Sequence, residues 1–296
     1  MADSKPNWLQ RRIGGPLSGH ADRLVAAGKR ALGYMNWKRN RHAIHRRDIL
    51  DALVADMKAQ APDHIAVTGD LVNLALPEEF TQARAWLAGV GTPQDVTVVP
   101  GNHDAYVGTT RHRIADWQEF SNGDAAAPGS IQDFPAVRRR GPLTLIGVSS
   151  AVPTAPLMAT GRLGQKQIDA LDRILSQLAD DPNFRVLLIH HPLQSKSSYK
   201  RLTDADALIE LLKRHRVDLV LHGHDHVHST MWFEGPHGRV PAIGVPSASA
   251  VPHRHYPAAA YNLFSIARDG DVWRCEQRVR SFVGDKITDV RNVRVV

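Results

Sequence analysis

Four predicted strands of this chain end in side chains that can bind a metal ion, and glycine or proline accompanies each of them. The four sequences are Gly69-Asp70, Gly101-Asn102, His190-His191-Pro192 and Gly223-His224-Asp225-His226. One such histidine, or one Gly-Asp pair, is ordinarily a structural or turn residue. In layered sheets, however, binding sites lie outside the carboxyl ends of strands, so residues distant in sequence can meet there. The four strand ends therefore predict one shared site.

Strands and helices alternate over the first two thirds of the chain, and strands dominate the rest. Apolar residues at helical spacing predict helices over 47–60, 78–87, 111–120, 165–179 and 205–214. Short apolar runs predict strands over 64–68, 96–99, 143–149, 186–189, 218–221, 230–234, 240–245, 262–267 and 272–279. This order is typical of a layered α/β or α+β domain. No repeat or low-complexity linker divides the chain, so we expect one domain over 48–296 that follows a basic segment at 1–47.

Composition excludes several classes of protein. Hydrophobic residues at 43% and charged residues at 23% are close to globular averages, which excludes a disordered or collagen-like chain. No apolar run reaches the ~18 residues that a membrane span needs, and no apolar stretch follows the first basic residues, so we expect no secretory signal. The single cysteine, Cys275, excludes a disulfide framework and a cysteine-based zinc site. These observations favour a cytoplasmic protein; no feature of the sequence fixes an oligomeric state.

The positive charge of the chain is local. The net charge is +7, yet residues 1–50 hold eleven Lys and Arg against three Asp and Glu, whereas the rest of the chain holds 26 against 27. The basic segment also carries Tyr34, Met35 and Trp37. It is either a solvated face or a surface for phosphates, a membrane or an acidic substrate. Nucleic-acid binding fits the charge but lacks a recognised fold motif, so we do not favour it.

The chemistry of the four strand ends narrows the choice of metal. They offer imidazole, carboxylate and one amide oxygen, with no thiolate. This set suits Mn²⁺, Fe²⁺, Zn²⁺ or Co²⁺ and disfavours a structural zinc or copper(I). A carboxylate such as Asp70 can bridge two ions, and paired ions are a common device for displacement at phosphorus.

Taken together, these motifs resemble those of the calcineurin-like metallophosphoesterases. Gly69-Asp70-x-x-Asn73, Gly101-Asn102-His103-Asp104, His190-x-Pro192 and Gly223-His224-x-His226 look like four of the five motifs of that family, in the family's order. Gly161-Arg162-Leu163-Gly164, followed by Gln167, is also similar to the small bacterial phosphodiesterases of the family. The resemblance implies a four-layer α/β/β/α sandwich with two metal ions at the strand ends.

The resemblance also implies a role for each matching residue. Asp70 would bridge the two ions, with Asn102, His190 and His224 completing one site and His226 belonging to the other. We therefore expect divalent metal ions as cofactors, with one tight site.

The catalytic pair implied by the resemblance is His103 and Asp104. His103, held in orientation by Asp104, would contact the phosphate and protonate the leaving oxygen. His191 is the weaker ligand candidate, because the family pattern places the ligand two residues before the proline.

One motif of the family is missing. The family opens with a strand ending in Asp-x-His, which supplies two further ligands of the second metal, but no Asp-x-His precedes Asp70 and the first twelve residues are polar and basic. His20-Ala21-Asp22 has these residue types in reversed order, and we expect His42 and His45 at the surface. Two explanations stay open: an altered N-terminal region, or the loss of one metal site with weak or absent second occupancy.

The expected function is hydrolysis of a small phosphorylated substrate by a metal-activated water. A phosphodiester is favoured over a phosphomonoester as the substrate. The alternative is a catalytically impaired or non-catalytic relic of the same fold that binds a phosphate ligand through an incomplete metal centre.

We also expect residues 13–47, with Leu24, Val25, Leu32, Tyr34 and Trp37, to cover the edge of the strand at 64–68 or to lie near the cleft. There they would present Lys38, Arg39 and Arg41 to an incoming phosphate.

Overall fold

A computed structural model describes residues 17–127, 133–254 and 256–296. Its helices are α1 Leu17–Asn36, α2 His42–Ile44, α3 Arg47–Ala59, α4 Pro77–Val90, α5 Gln165–Gln177 and α6 Ala205–Arg214, with a π-helical turn at Trp37–Arg41 and a 3-10 helix at Gly108–Phe120. The strands are β1 Ile65–Val67, β2 Val96–Val98, β3 Ala136–Arg140, β4 Leu143–Gly147, β5 Phe184–Leu188, β6 Leu219–His222, β7 Ser229–Gly235, β8 Gly238–Gly244, β9 Ala260–Asp269, β10 Val272–Val283 and β11 Lys286–Arg294. In these residues no helix has the length and apolar character that crossing a membrane requires.

The strands form three sheets. β1 and β2 pair in parallel, and β9, β10 and β11 form an antiparallel sheet in the order β11-β10-β9. The remaining six have the order β3-β4-β5-β6-β8-β7. In that sheet the four inner strands are parallel, whereas β3 and β7 are antiparallel to their neighbours at the two edges. The parallel strands direct several carboxyl ends to one side of the molecule.

The sheets and helices pack in four layers. Helices α5 and α6 cover one face of the six-stranded sheet, where Leu171 and Leu211 are buried. The opposite face packs on the three-stranded sheet around the buried Cys275, and burial raises the pKa of that thiol to about 12. Beyond the three-stranded sheet lies α3, joined to β10 by an ion pair between Asp56 and Arg280. The predicted α/β/β/α sandwich is confirmed.

The structure contains elements that apolar patterning did not predict. Helix α1 lies in the basic segment, and β3 has the sequence AVRRR, in which the buried Arg138 donates hydrogen bonds to the carbonyls of Asn122, Pro93, Val96 and Glu119. Strand β11 is largely exposed and carries little apolar signal. The helix expected at 111–120 is part of the 3-10 helix. The Gly-, Ala- and Asp-rich sequence of 121–133 predicts a loop, of which residues 128–132 lie outside the described residues.

Within residues 26–47, the N-terminal segment docks near the strand ends and leaves the middle of β1 uncovered. Lys29 of α1 donates to the carbonyls of Tyr106 and Thr154, and Gly33 lies so close to Tyr106 that a Cβ there would be 2.6 Å from its hydroxyl. Ala66, in the middle of β1, stays exposed. Leu32 and Trp37, which were expected to pack over the edge of this strand, are exposed as well. The side chains of Leu24 and Val25 are not among those that the structure describes.

Candidate metal centre

The carboxyl ends of β1, β2, β5 and β6 meet at one place in the structure. Asp70 follows β1, Asn102 follows β2, His190 follows β5 and His224 follows β6. The two sheets are tied together there by a hydrogen bond from His190 Nδ1 to the carbonyl of Thr68, at 2.6 Å. The four side chains that were expected to share a site therefore lie in one cluster.

The donor atoms of this cluster are close enough to share an ion. Asn102 Oδ1 lies 2.9 Å from His224 Nδ1 and 3.1 Å from His190 Nε2. The two imidazole nitrogens are 3.2 Å apart, and Asp70 Oδ2 lies 3.4 Å from His190 Nε2. One ligand atom each from Asp70, His190 and His224 falls within 4.8 Å of the others.

Unusual backbone conformations aim these side chains at one another. Asp70, His224 and His226 all have positive φ angles, of 59°, 70° and 55°. Non-glycine residues adopt this region at a cost of about 1–3 kcal/mol each, and such residues concentrate at functional sites. Gly101 packs against Asp70, and a Cβ at Gly101 would overlap the carboxylate. The ligand geometry is thus built at the expense of local backbone strain.

The residues present fit a divalent metal ion. Because Nδ1 of His190 donates its hydrogen to Thr68, a neutral His190 ring has its lone pair on Nε2, which faces Asn102 Oδ1 and His224 Nδ1. Nε2 of His224 is buried without a hydrogen-bond partner among the described residues. Imidazole, carboxylate and amide-oxygen atoms that converge in this way suit a borderline cation. The side chains of Asn102, His190 and His224 are buried, and that of Asp70 is 16% exposed.

Electrostatics act differently on the residues of the cluster. Burial lowers the pKa of His190, but the charge and hydrogen bond of Asp70 outweigh it and raise that pKa above its ordinary value. Burial alone would raise the pKa of Asp70, but the charges of His190 and His103 hold it well below its ordinary value. Burial, followed by the charges of His191 and His190, lowers the pKa of His224 to about 2. Deprotonated carboxylate and neutral imidazole are the forms that bind metal ions.

Comparison with known proteins decides the family. The model of the calcineurin-like phosphoesterase family matches residues 42–228, the stretch that carries all four strand ends. The chain belongs to the calcineurin-like phosphoesterase family. Family membership makes it a phosphoric ester hydrolase.

Two curated relatives of this phosphoesterase carry the same description. A probable cyclic nucleotide phosphodiesterase from Synechococcus sp. is 26% identical over 230 residues, which cover 76% of this chain and 80% of the relative. A second, from Rhodococcus erythropolis, is 26% identical over 195 residues, which cover 64% of this chain and 59% of that protein. Among solved structures, the dimetal phosphatase from Danio rerio has a TM-score of 0.57 at 14% identity and covers 83% of this chain and 88% of its own; it supports the fold.

The structure corrects the role expected for Asp104 in this phosphoesterase. Asp104 is buried and accepts hydrogen bonds from the backbone N–H groups of Asp70, Gly101 and Val72, at 2.9, 2.7 and 3.1 Å. Burial, followed by the charge of Asp70, raises its pKa to about 7. Asp104 therefore fixes the loops that carry Asp70 and Asn102, and among the described residues its hydrogen bonds go to these backbone groups and not to the ring of His103.

His103 is oriented by a backbone carbonyl instead. Its Nδ1 lies 2.6 Å from the carbonyl oxygen of Asn73, its backbone N–H donates to Asp70 Oδ1 at 2.9 Å, and its ring stacks on Tyr106 with 5.5 Å between centroids. Nδ1 is therefore the protonated nitrogen of the neutral ring, and Nε2 faces Nη1 of Arg41.

The other histidines differ in their environments. His191 is buried between Ser150 Oγ, at 2.7 Å from Nδ1, and the carbonyl of Ala159, so its ring has a structural role. His226 is half-buried, and its ring lies 5.9 Å from that of His45.

The histidines of the basic segment differ in their exposure. The expectation that His45 is a surface residue is wrong, because it is half-buried and its Nδ1 forms a hydrogen bond with Ser249 Oγ beside the site. His42 is exposed as expected. The side chains of His20 and Asp22 lie outside the described residues.

Arg41 is a site residue whose position the motifs did not reveal. Its Nη1 donates to Asn73 Oδ1 at 3.0 Å and lies 3.2 Å from His103 Nε2. Lys38 and Arg39, expected to act with it, are exposed on the same turn. The only sequence signal was the density of basic residues there, which does not distinguish one arginine from its neighbours.

Proposed function

We propose that the protein hydrolyses small phosphodiesters of the cyclic-nucleotide class with one divalent metal ion. Asp70, Asn102, His190 and His224 would hold the ion, which is Mn²⁺, Fe²⁺, Zn²⁺ or Co²⁺ by the chemistry of its ligands. The observation that supports this most is the convergence of their donor atoms, three of which lie within 4.8 Å of one another. The descriptions of both curated relatives support the diester class.

The ion and the side chains have separate tasks in this proposal. A bound divalent ion lowers the pKa of a water molecule and neutralises phosphoryl charge. His103 would act at Nε2: in its doubly protonated form the ring would give the Nε2 proton to the oxygen of the departing alcohol as the phosphorus–oxygen bond breaks, and would be left neutral with its hydrogen on Nδ1. The carbonyl of Asn73 holds the ring for this transfer through Nδ1. The net reaction consumes one water and opens the cyclic diester to a single product that carries a phosphomonoester and a free hydroxyl; an acyclic diester gives a monoester and a separate alcohol.

Hydrolysis of matched substrates tests the proposal. Protein loaded with Mn²⁺ is assayed on bis(p-nitrophenyl) phosphate, p-nitrophenyl phosphate and 3′,5′-cyclic AMP, with metal content measured on the same sample. We expect faster turnover of the diesters than of the monoester, and loss of both activity and metal in His190→Ala. The exposed His237 provides the matched control, His237→Ala, which should keep both. Metal-loaded protein that hydrolyses none of the three would instead support the non-catalytic alternative.

A further inference from the structure

Arg41 lies against the proposed general acid of the site. Its Nη1 bridges Asn73 Oδ1 and His103 Nε2. Among the described residues, neither Nε nor Nη2 of Arg41 has a hydrogen-bond partner, although the side chain is half-buried. A guanidinium presents paired N–H donors whose geometry matches two oxygens of a phosphate. One edge of Arg41 is therefore available for such a ligand.

The surrounding structure holds Arg41 in place from both sides. Before it, Arg30 of α1 donates to the carbonyls of Leu74 and Ala75, at 3.1 and 2.6 Å, in the loop that follows Asp70. After it, the backbone of residues 44–46 pairs with that of residues 249–251, with hydrogen bonds of 2.8 and 2.9 Å. The π-helical turn between these anchors carries Arg41 at its last position, and π-helical turns occur frequently at functional sites.

The position that a second metal ion would need is electrically unsuited to one. In the described part of the chain, only Asp70 and His226 match the family's ligands for that ion. The guanidinium of Arg41 stands beside this position: its Nη1 lies 3.2 Å from His103 Nε2, and the backbone N–H of His103 donates to Asp70 Oδ1 at 2.9 Å. Two ligands beside a guanidinium do not fit a divalent cation, because like charges repel.

We propose that Arg41 binds the phosphoryl group of the substrate and supplies the positive charge that a second metal ion would supply. Its Nε and Nη2 groups would donate to two non-bridging oxygens, while Nη1 keeps its bond to Asn73. Asp70 then lies between one metal ion and a guanidinium. This inference rests on the proposed function for its substrate, a phosphodiester, but the binding of phosphate by Arg41 can be measured without turnover.

Two variants of Arg41 and one control test the proposal. Arg41→Met removes the charge at similar length, and Arg41→Gln removes the charge but can keep a hydrogen bond to Asn73. Arg39→Met is the control, because Arg39 is exposed on the same turn. Each Mn²⁺-loaded protein is titrated with inorganic phosphate by calorimetry at 0.15 M salt, its metal content is measured, and its hydrolysis of bis(p-nitrophenyl) phosphate is followed.

The expected results separate Arg41 from the metal site. Both Arg41 variants should bind phosphate at least tenfold more weakly and lose roughly 10²–10³ in kcat/KM, the usual effect of removing one donor to developing negative charge. Their metal content should remain at the wild-type value of one ion per chain. Arg39→Met should change either quantity less than about twofold, because exposed charges are screened at this salt concentration.

The remaining outcomes distinguish failure of this inference from failure of the proposed function. Unchanged phosphate affinity in Arg41→Gln, or two tightly bound ions in the wild-type protein, would show that Arg41 does not take the place of a second metal. If the wild-type protein binds phosphate through Arg41 but hydrolyses no diester, the proposed function fails while the role of Arg41 in binding stands.

Discussion

His103 and Asn102 are consecutive residues, yet their side chains have different environments. Asn102 Oδ1 points into the cluster with His190 and His224. The ring of His103 points away from it, to the carbonyl of Asn73 and to Tyr106. One peptide unit therefore separates a proposed metal ligand from a proposed proton donor, and single substitutions can distinguish the two roles.

Replacing His103 by Ala should leave metal content nearly intact and lower kcat by roughly 10²–10⁴, the usual contribution of a positioned acid or base. Asn102→Ala should instead release the metal, because it removes an oxygen that faces both imidazoles. Metal analysis beside steady-state kinetics on the same preparations measures both effects. Loss of metal from His103→Ala, or an unchanged rate, contradicts the assignment of His103.

At the scale of elements, α1 is the part of the fold that links the basic segment to the site. Lys29 and Gly33 of this helix contact Tyr106, and Tyr106 stacks on His103. A shift of α1 is therefore transmitted to the proposed acid through one aromatic side chain.

Gly33→Ala tests this linkage. The new Cβ would lie 2.6 Å from Tyr106 Oη and 2.7 Å from Leu74 Cδ2, so the helix or Tyr106 must move. Overpacking of this kind costs about 1–3 kcal/mol, which offsets the ~1 kcal/mol gained by replacing glycine in a helix. We expect lower stability in urea unfolding and a roughly tenfold loss of kcat/KM, about the effect of a small displacement of a catalytic group.

Gly28→Ala is the matched control on the same helix. A Cβ at Gly28 meets no atom within 4 Å, so the substitution should stabilise α1 by up to about 1 kcal/mol and leave the rate unchanged. Equal stabilisation by both substitutions would mean that α1 does not press on Tyr106.

The sequence predicted those helices and strands whose regularly spaced apolar residues are also buried in the structure. In helix α5 and strand β5 the apolar residues are buried, and both elements were expected within a few residues of their observed bounds. Strand β3 was missed because Arg138 is buried through hydrogen bonds to four carbonyls, a tertiary arrangement that no local pattern encodes. Arg41 was expected near the cleft, but its contact with His103 depends on how α1 docks, which the spacing of basic residues does not specify.

At the scale of the whole molecule, the proposed metal site joins two sheets. Asp70 and Asn102 follow strands of the two-stranded sheet, whereas His190 and His224 follow strands of the six-stranded sheet. An ion bound by all four side chains crosslinks these sheets in the folded state and has no such site in the unfolded chain. Metal binding should therefore stabilise the entire fold.

Thermal unfolding with and without metal measures this stabilisation. Removing the ion with a chelator and then restoring Mn²⁺ to 100 times its Kd should contribute about 2.7 kcal/mol, which raises Tm by roughly 4 °C for a chain of 296 residues. His190→Ala should abolish the shift, because it removes the ligand that faces both Asn102 and His224. His237→Ala, on an exposed turn, should keep it. A shift of the same size in His190→Ala would place the stabilising ion elsewhere in the protein and would remove the support for a crosslink between the two sheets.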